Sequence, residues 1–191
     1  MTCGVCRHYR RWPALPYIAT VFACANKDRA LFMQIGITLQ RLRADDPNAD
    51  VVAGWTFAAW GYLYPGNTLA QAIEDTRHQC GERGVPSLFV ALHGETPVGT
   101  ACLIANDMST RPALTPWLAS LFVVPEWRGQ GIASALVRRV EAEAQACGLE
   151  HFYLYTPDQQ ALYQRLGWQA VEDVEYRGEH VTIMRRQLVS T

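Results

Sequence analysis

The sequence predicts a mixed α/β domain, a central and mostly antiparallel sheet with helices against it. Three observations carry this. An apolar run of strand length, Leu118 to Val124, leads through Gly129-Gln130-Gly131 into a helical pattern. Two apolar runs, Leu88 to Leu92 and Val98 to Ala105, are joined by the short loop His93-Gly94-Glu95-Thr96 and so pair antiparallel. Helix start and stop signals flank three further segments, giving about four helices among about six to seven strands.

In chain order, Ile35, Ile37 and Leu39 alternate with Gln34, Gly36, Thr38 and Gln40, the pattern of a half-buried strand. Asp46 as cap and Pro47 at the first position open a helix whose apolar face is read as Val51, Val52, Trp55, Ala58, Ala59 and Tyr62. After the break Tyr64-Pro65-Gly66-Asn67, Thr68 and Gln71 form a capping box for a second helix, with Leu69, Ala72, Ile73 and Cys80 facing inward and Gly81 as stop. The hairpin strands follow, then the polar connection Asn106 to Pro116 and the central run from Leu118. Ile132, Leu136, Val140, Ala144 and Cys147 recur every three or four residues, with Arg138, Arg139, Glu141 and Glu143 between them, and Gly148 closes this amphipathic helix. The helix returns the chain to His151–Tyr155, a crossover that makes one neighbouring strand pair parallel. Thr156, Pro157 and Gln159 start a last short helix ending at Gly167; two strands, Trp168 to Tyr176 and His180 to Leu188, surround the turn Arg177-Gly178-Glu179.

The turn at Gly129 has a chemistry. A helix start leaves backbone N–H groups unpaired and carries about half a positive charge. Glycines there let a backbone approach a phosphate closely, and Arg128 adds charge. Alone, a short Gly-x-Gly is also an ordinary strand-to-helix turn. Composition excludes other classes. The 191 residues are 49% apolar and 18% charged with net charge −1, so there is no basic excess for nucleic acid. No apolar stretch is long enough to span a bilayer. Of the six cysteines, Cys80, Cys102 and Cys147 sit in helix or strand patterns, which predicts reduced thiols and a cytoplasmic location. His8, His78, His93, His151 and His180 lack metal-ligand spacing, so no metal is expected.

Residues 1–32 have no sustained period and are expected to be a poorly ordered leader or upstream extension, with residues 33–191 as the domain. A secretory signal ending near Ala23-Cys24-Ala25, and a zinc site from Cys3, Cys6, His8 and Cys24, are weaker alternatives, the prolines interrupting the first and a missing second ligand pair the other.

The larger pattern Val123-x-Pro125-x-x-Arg128-Gly129-x-Gly131-Ile132-Ala133 resembles the acetyl-coenzyme A loop of the GNAT acetyltransferase superfamily, with Arg128, Gly131 and Ala133 matching in order. Ala161-Leu162-Tyr163-Gln164-Arg165-Leu166-Gly167-Trp168 resembles the late helix of that family, and the resemblance runs roughly from Gln34 to Leu188. It implies a GNAT-like acyl-CoA N-acyltransferase fold. The function implied is an N-acetyltransferase moving an acetyl group from acetyl-CoA, as co-substrate, to a small-molecule or peptide amine. It also implies backbone contacts to the cofactor from Leu121, Phe122 and Val123, and from Arg128, Gly129, Gln130, Gly131, Ile132, Ala133 and Ser134 around the pyrophosphate. Tyr163 becomes the candidate general acid, since a phenol stays protonated near neutrality. The central strand offers only Ser120 where the family often has a carboxylate, which leaves Glu126 and Asp107 as loop candidates for the base beside a water chain. Trp60, Tyr62 and Tyr64, between the first two helices, are candidates for an acceptor wall and equally for core packing. The family commonly dimerises through its last strands, so a homodimer is one possible assembly. The missing strand carboxylate keeps a second class open, a non-catalytic acyl-CoA-binding sensor. A dinucleotide site built on Gly129-x-Gly131-x-x-Ser134 with Glu150 is disfavoured, because the third glycine is absent and hairpin strands precede the motif.

Overall fold

The computed structural model describes residues 36–188; the leader expected over residues 1–32, with Cys3, Cys6 and Cys24, lies outside them. Seven strands form one sheet in the order β1-β2-β3-β4-β5-β7-β6. They are β1 (Ile37–Arg41), β2 (Ser87–His93), β3 (Thr96–Ile104), β4 (Trp117–Val123), β5 (His151–Thr156), β6 (Gln169–Tyr176) and β7 (Glu179–Gln187). Every neighbouring pair is antiparallel except β4 and β5, as the crossover requires.

Four helices cover the sheet: α1 (Asn48–Trp60), α2 (Leu69–His78), α3 (Ile132–Ala146) and α4 (Gln160–Arg165). The unbroken apolar run in β2 arises because both faces are covered. Phe89 and Ala91 join the core under α3, with Ile132, Leu136, Val137, Val140, Phe152 and Met184. Leu88, Val90 and Leu92 pack on the opposite face with Ala49 and Val52 of α1.

Several local expectations shift. α1 begins at Asn48, not Pro47, although the Asp46 carboxylate still accepts from the Asn48 N–H at 2.8 Å. Its buried face is Ala49, Val52 and Ala53, while Val51 and Ala58 are exposed. The helix packs through small residues, which a search for large apolar side chains overlooks. Only half of the box at α2 forms: Gln71 N–H donates to Thr68 Oγ1 at 3.2 Å, but the Gln71 side chain turns to Asp75. Likewise Thr156 Oγ1 accepts from Gln159 N–H at 3.0 Å, yet Pro157 lies in a bend and α4 starts only at Gln160.

One irregularity organises the centre. The β3–β4 register jumps between Thr100 and Cys102, and opposite the jump Ser120 has φ of 53°. This is a β-bulge. Its extra residue reverses the alternation of β4. Before it, Leu118 faces the α3 core and Ala119 the α1 side; after it, Leu121 and Val123 face α3 while Phe122 stacks on Trp55 of α1 at 5.6 Å. Gly99 permits the close approach: a Cβ there would lie 2.9 Å from the Phe122 carbonyl oxygen.

Candidate functional site

The bulge leaves β4 and β5 in contact at a single register pair, Trp117 with Tyr153, supported by Tyr153 N–H donating to the Pro116 carbonyl at 2.9 Å. Beyond that pair no ladder joins the two strands. Leu121, Phe122 and Val123 therefore lie along a gap in the middle of the sheet.

At one end of the gap is the glycine turn. Pro125–Trp127 forms a single 3-10 turn after β4. Trp127 anchors it against His93 of the β2–β3 hairpin, ring centroids 4.6 Å apart. Arg128 Nε donates to the Val123 carbonyl at 2.9 Å. Gly129 and Gly131 have φ of 76° and 82°, and a Cβ on either would meet nothing within 4 Å. The glycines thus serve the left-handed backbone and leave the space beside it open. Gly131 is the N-cap of α3 and no side chain caps that end, so the first N–H groups of the helix, Ile132, Ala133 and Ser134, are available to an anion. The Ile132 side chain itself is in the core. Glu126 is exposed on the 3-10 turn and lines neither cavity described below. Gln130 lies beyond that turn, its side-chain amide donating to the Glu126 carbonyl at 3.5 Å.

Past the gap lie two cavities of about 300 Å³ each. The outer one reaches Leu118 to Leu121, Thr156, Asp158 and Tyr163; the inner one runs under α1 and α2 to Asp75, Thr76 and Gln79. Trp60, Tyr64, Asp107 and Ser120 line both. Tyr163 is buried, 6.0 Å from the Trp168 ring between centroids, and burial, then the nearby Asp158, push its phenol well above the usual tyrosine value. It holds its proton at any physiological pH.

Asp107 leaves the connection between β3 and β4 to reach the junction of the cavities. Burial raises its carboxyl to about 6, an effect partly offset by the Arg177 guanidinium. A carboxylate so tuned takes up a proton readily near neutrality.

Of the aromatic trio, Trp60 stands edge-on to Phe122 at 6.3 Å. Tyr62 is 66% exposed, which removes it from the core, and its hydroxyl donates to Glu179 at 3.0 Å. Tyr64 lies under the Arg177 guanidinium at 4.1 Å, and Arg177 also donates to the Leu63 carbonyl at 2.9 Å. The 3-10 turn Gly61–Leu63 is thereby tied to the β6–β7 hairpin, a two-residue turn with φ of 53° at Arg177 and 80° at Gly178. Tyr155, Tyr176 and Glu179 complete the outer lining. Sequence reasoning missed these three, and their signal is the strand order β5-β7-β6, which no local pattern contains.

No group of His, Cys, Asp and Glu among the described residues could hold a metal ion, and no described helix is long and apolar enough to cross a membrane. Cys80, Cys102 and Cys147 are free thiols.

The family model for the GNAT acetyltransferases matches residues 54–168. No curated protein matches the chain. Among solved structures it is similar to aminoglycoside 6'-acetyltransferase type Ii, with TM-score 0.63 and 17% identity, over 80% of this chain and 97% of that one. An aminoglycoside 6'-N-acetyltransferase complexed with coenzyme A gives TM-score 0.62 and 16% identity, over 80% and 97%. An N-acetyltransferase from Staphylococcus aureus Mu50 gives TM-score 0.61 and 19% identity, over 80% and 99%. At these identities the likeness concerns the fold.

Proposed function

Since the chain belongs to the GNAT acetyltransferase family, we propose that it moves an acetyl group from acetyl-CoA to a primary amine of a small molecule or peptide, by direct attack within a ternary complex. The observation that carries this reading is the gap between β4 and β5, opening on a cavity lined by both a buried phenol and a carboxylate raised to about 6.

The residues fit the co-substrate. The uncapped start of α3, with its two left-handed glycines and open space beside them, suits a pyrophosphate on the N–H groups from Gly129 to Ser134, with Arg128 adjacent. The backbone of Leu121 to Val123 suits an extended amide-bearing arm lying in the gap. When bound, acetyl-CoA supplies a thioester whose acetyl carbon is taken by the amine nitrogen while its sulfur leaves as the thiol. Asp107 accepts the proton that an ammonium must lose before its nitrogen can attack. Tyr163 holds the proton for the departing sulfur at its phenol oxygen. Trp60, Tyr62 and Tyr64 wall the acceptor side and exclude water. The sensor reading rested on a missing carboxylate, and Asp107 at the cavity junction weakens its motive.

Calorimetry on the full chain tests the first half. Acetyl-CoA is expected to bind with a dissociation constant of roughly 1 μM to 1 mM. Gly131→Glu, which places an acidic side chain and a strained backbone at the turn, should abolish binding while circular dichroism stays unchanged. A folded wild-type chain that ignores acetyl-CoA would sink the reading. For the second half, Tyr163→Phe is expected to lower kcat about a hundredfold with acetyl-CoA affinity retained, measured by thiol release. Wild-type turnover in that variant would remove Tyr163 from the acid role.

A further inference from the structure

The two cavities adjoin as two lobes, with Trp60, Tyr64, Asp107 and Ser120 lining both. Their charge is one-sided. Asp75 and Asp107 line the inner lobe; Asp107, Asp158 and Glu179 line the outer. Among the described residues no lysine or arginine lines either lobe. The cation that bears on Asp107, Arg177, is engaged with the Tyr64 ring and the Leu63 carbonyl.

Asp107 accepts no hydrogen bond from any described residue. Its oxygens are left to the cavity, where a ligand or water supplies the donors. Asp75 is half-committed: its Oδ1 accepts from Gln71 Nε2 at 3.2 Å, and no described residue donates to its Oδ2. Phe57, Trp60 and Tyr64 add aromatic surface to the same lobe, which favours cations over anions. Thr56, Asn67 and Asn106 in the inner lining offer further oxygen acceptors.

We propose that the acceptor is a small diamine or polyamine, its reacting amine at Asp107 between the lobes and a second ammonium held by Asp75 in the inner lobe. This rests on the acetyl-transfer reading and narrows it. A peptide N-terminus brings one charge and makes no use of Asp75. Transfer to the first ammonium breaks two of its N–H bonds: one proton passes to Asp107 and one ends on the departing thiol, the N–acetyl bond forms as the acetyl–sulfur bond breaks, and the second ammonium is retained in the product.

The test compares cadaverine with n-pentylamine, a monoamine of equal chain length, on the full chain. Binding is read by tryptophan fluorescence, since Trp60 lines both lobes, and transfer by thiol release with acetyl-CoA. The diamine is expected to bind at least tenfold tighter and to show at least tenfold higher kcat/KM. Asp75→Asn should bring both ratios within about twofold, and Asp75→Glu should restore them in part; Asp75 is exposed on α2, so neither change threatens the core. Equal or tighter binding of the monoamine overturns the proposal, as does binding of neither amine, or a diamine preference that survives Asp75→Asn. Selective diamine binding without thiol release from either amine sinks the transfer reading and leaves the dication site standing.

Discussion

Asp107→Asn is expected to cost about a hundredfold or more in kcat/KM at pH 7.5 and, at the same pH, to stabilise the fold by about 1–2 kcal/mol. The two effects have one origin. Burial raises the Asp107 carboxyl from 3.8 to about 6, with Arg177 opposing. The folded state therefore prefers the protonated form. The stabilisation is fully present below the ordinary value of 3.8 and is lost as pH rises through about 6. Above that the protein carries a desolvated anion, and an amide of equal size removes the burden. The shift would convert to about 3 kcal/mol if the group were wholly enclosed, and solvent on part of the residue reduces this. Catalysis runs the other way, because a base must be deprotonated, so wild-type kcat/KM should rise as pH passes through about 6. Thermal melts at pH 5 and 7.5, beside pH–rate profiles, check both. A variant with wild-type kinetics, or one less stable than wild type at pH 7.5, contradicts this account.

Glu143→Ala should destabilise the chain by about 2–4 kcal/mol, the larger structural effect. Glu143 is 6% exposed on α3 and joins three separate segments. Its Oε1 accepts from Gly84 N–H at 2.8 Å and meets Arg41 of β1 at 2.6 Å, while its Oε2 meets Arg139 one helical turn back at 3.1 Å. The two guanidiniums lie over the Phe89 ring at 5.0 and 4.0 Å, so charge and packing are lost together. Arg41 and Arg139 keep 22% and 31% of their side-chain surface, which places the cost below that of a fully enclosed pair. Desolvation works to raise this carboxyl, but the Gly84 N–H and the two arginines outweigh it and hold it below 4.5. A depressed carboxylate stabilises above its ordinary value, and that contribution disappears as pH falls through the folded value. Urea titrations at pH 7 and pH 4 should therefore show a wild-type loss that Glu143→Gln largely lacks. Equal midpoints for wild type and Glu143→Ala at pH 7 would refute the keystone role.

The strand–turn–helix at the centre was legible because its signals are local. Glycines sit where φ must be positive, and a period of 3.6 residues begins immediately after them. Tyr163 was legible through its neighbours Gly167 and Trp168. The base was not. Asp107 belongs to an aperiodic connection, and only the folded path from β3 to β4 carries it to the gap. The bulge at Ser120 was hidden too: the run from Leu118 to Val124 reads as a regular strand, and its only polar residue, Ser120, marks the irregular point. In α1 the buried surface is Ala49, Val52 and Ala53, so a reading by size finds Val52, misses the two alanines and is misdirected by the exposed Val51.

The clamp between the Gly61–Leu63 turn and the β6–β7 hairpin also bears on the order of assembly. Its bonds, Tyr62 to Glu179 and Arg177 to Leu63, close separations of 117 and 114 residues. β7 inserts between β5 and β6, late in sequence but inside the sheet. Contacts of such range form slowly because a long loop must close before they are rewarded. The glycine turn and α3 need only their own neighbourhood. During synthesis the anion-binding turn can therefore take shape well before the acceptor wall exists, and a nascent chain acquires the place for one reactant before it acquires the place for the other.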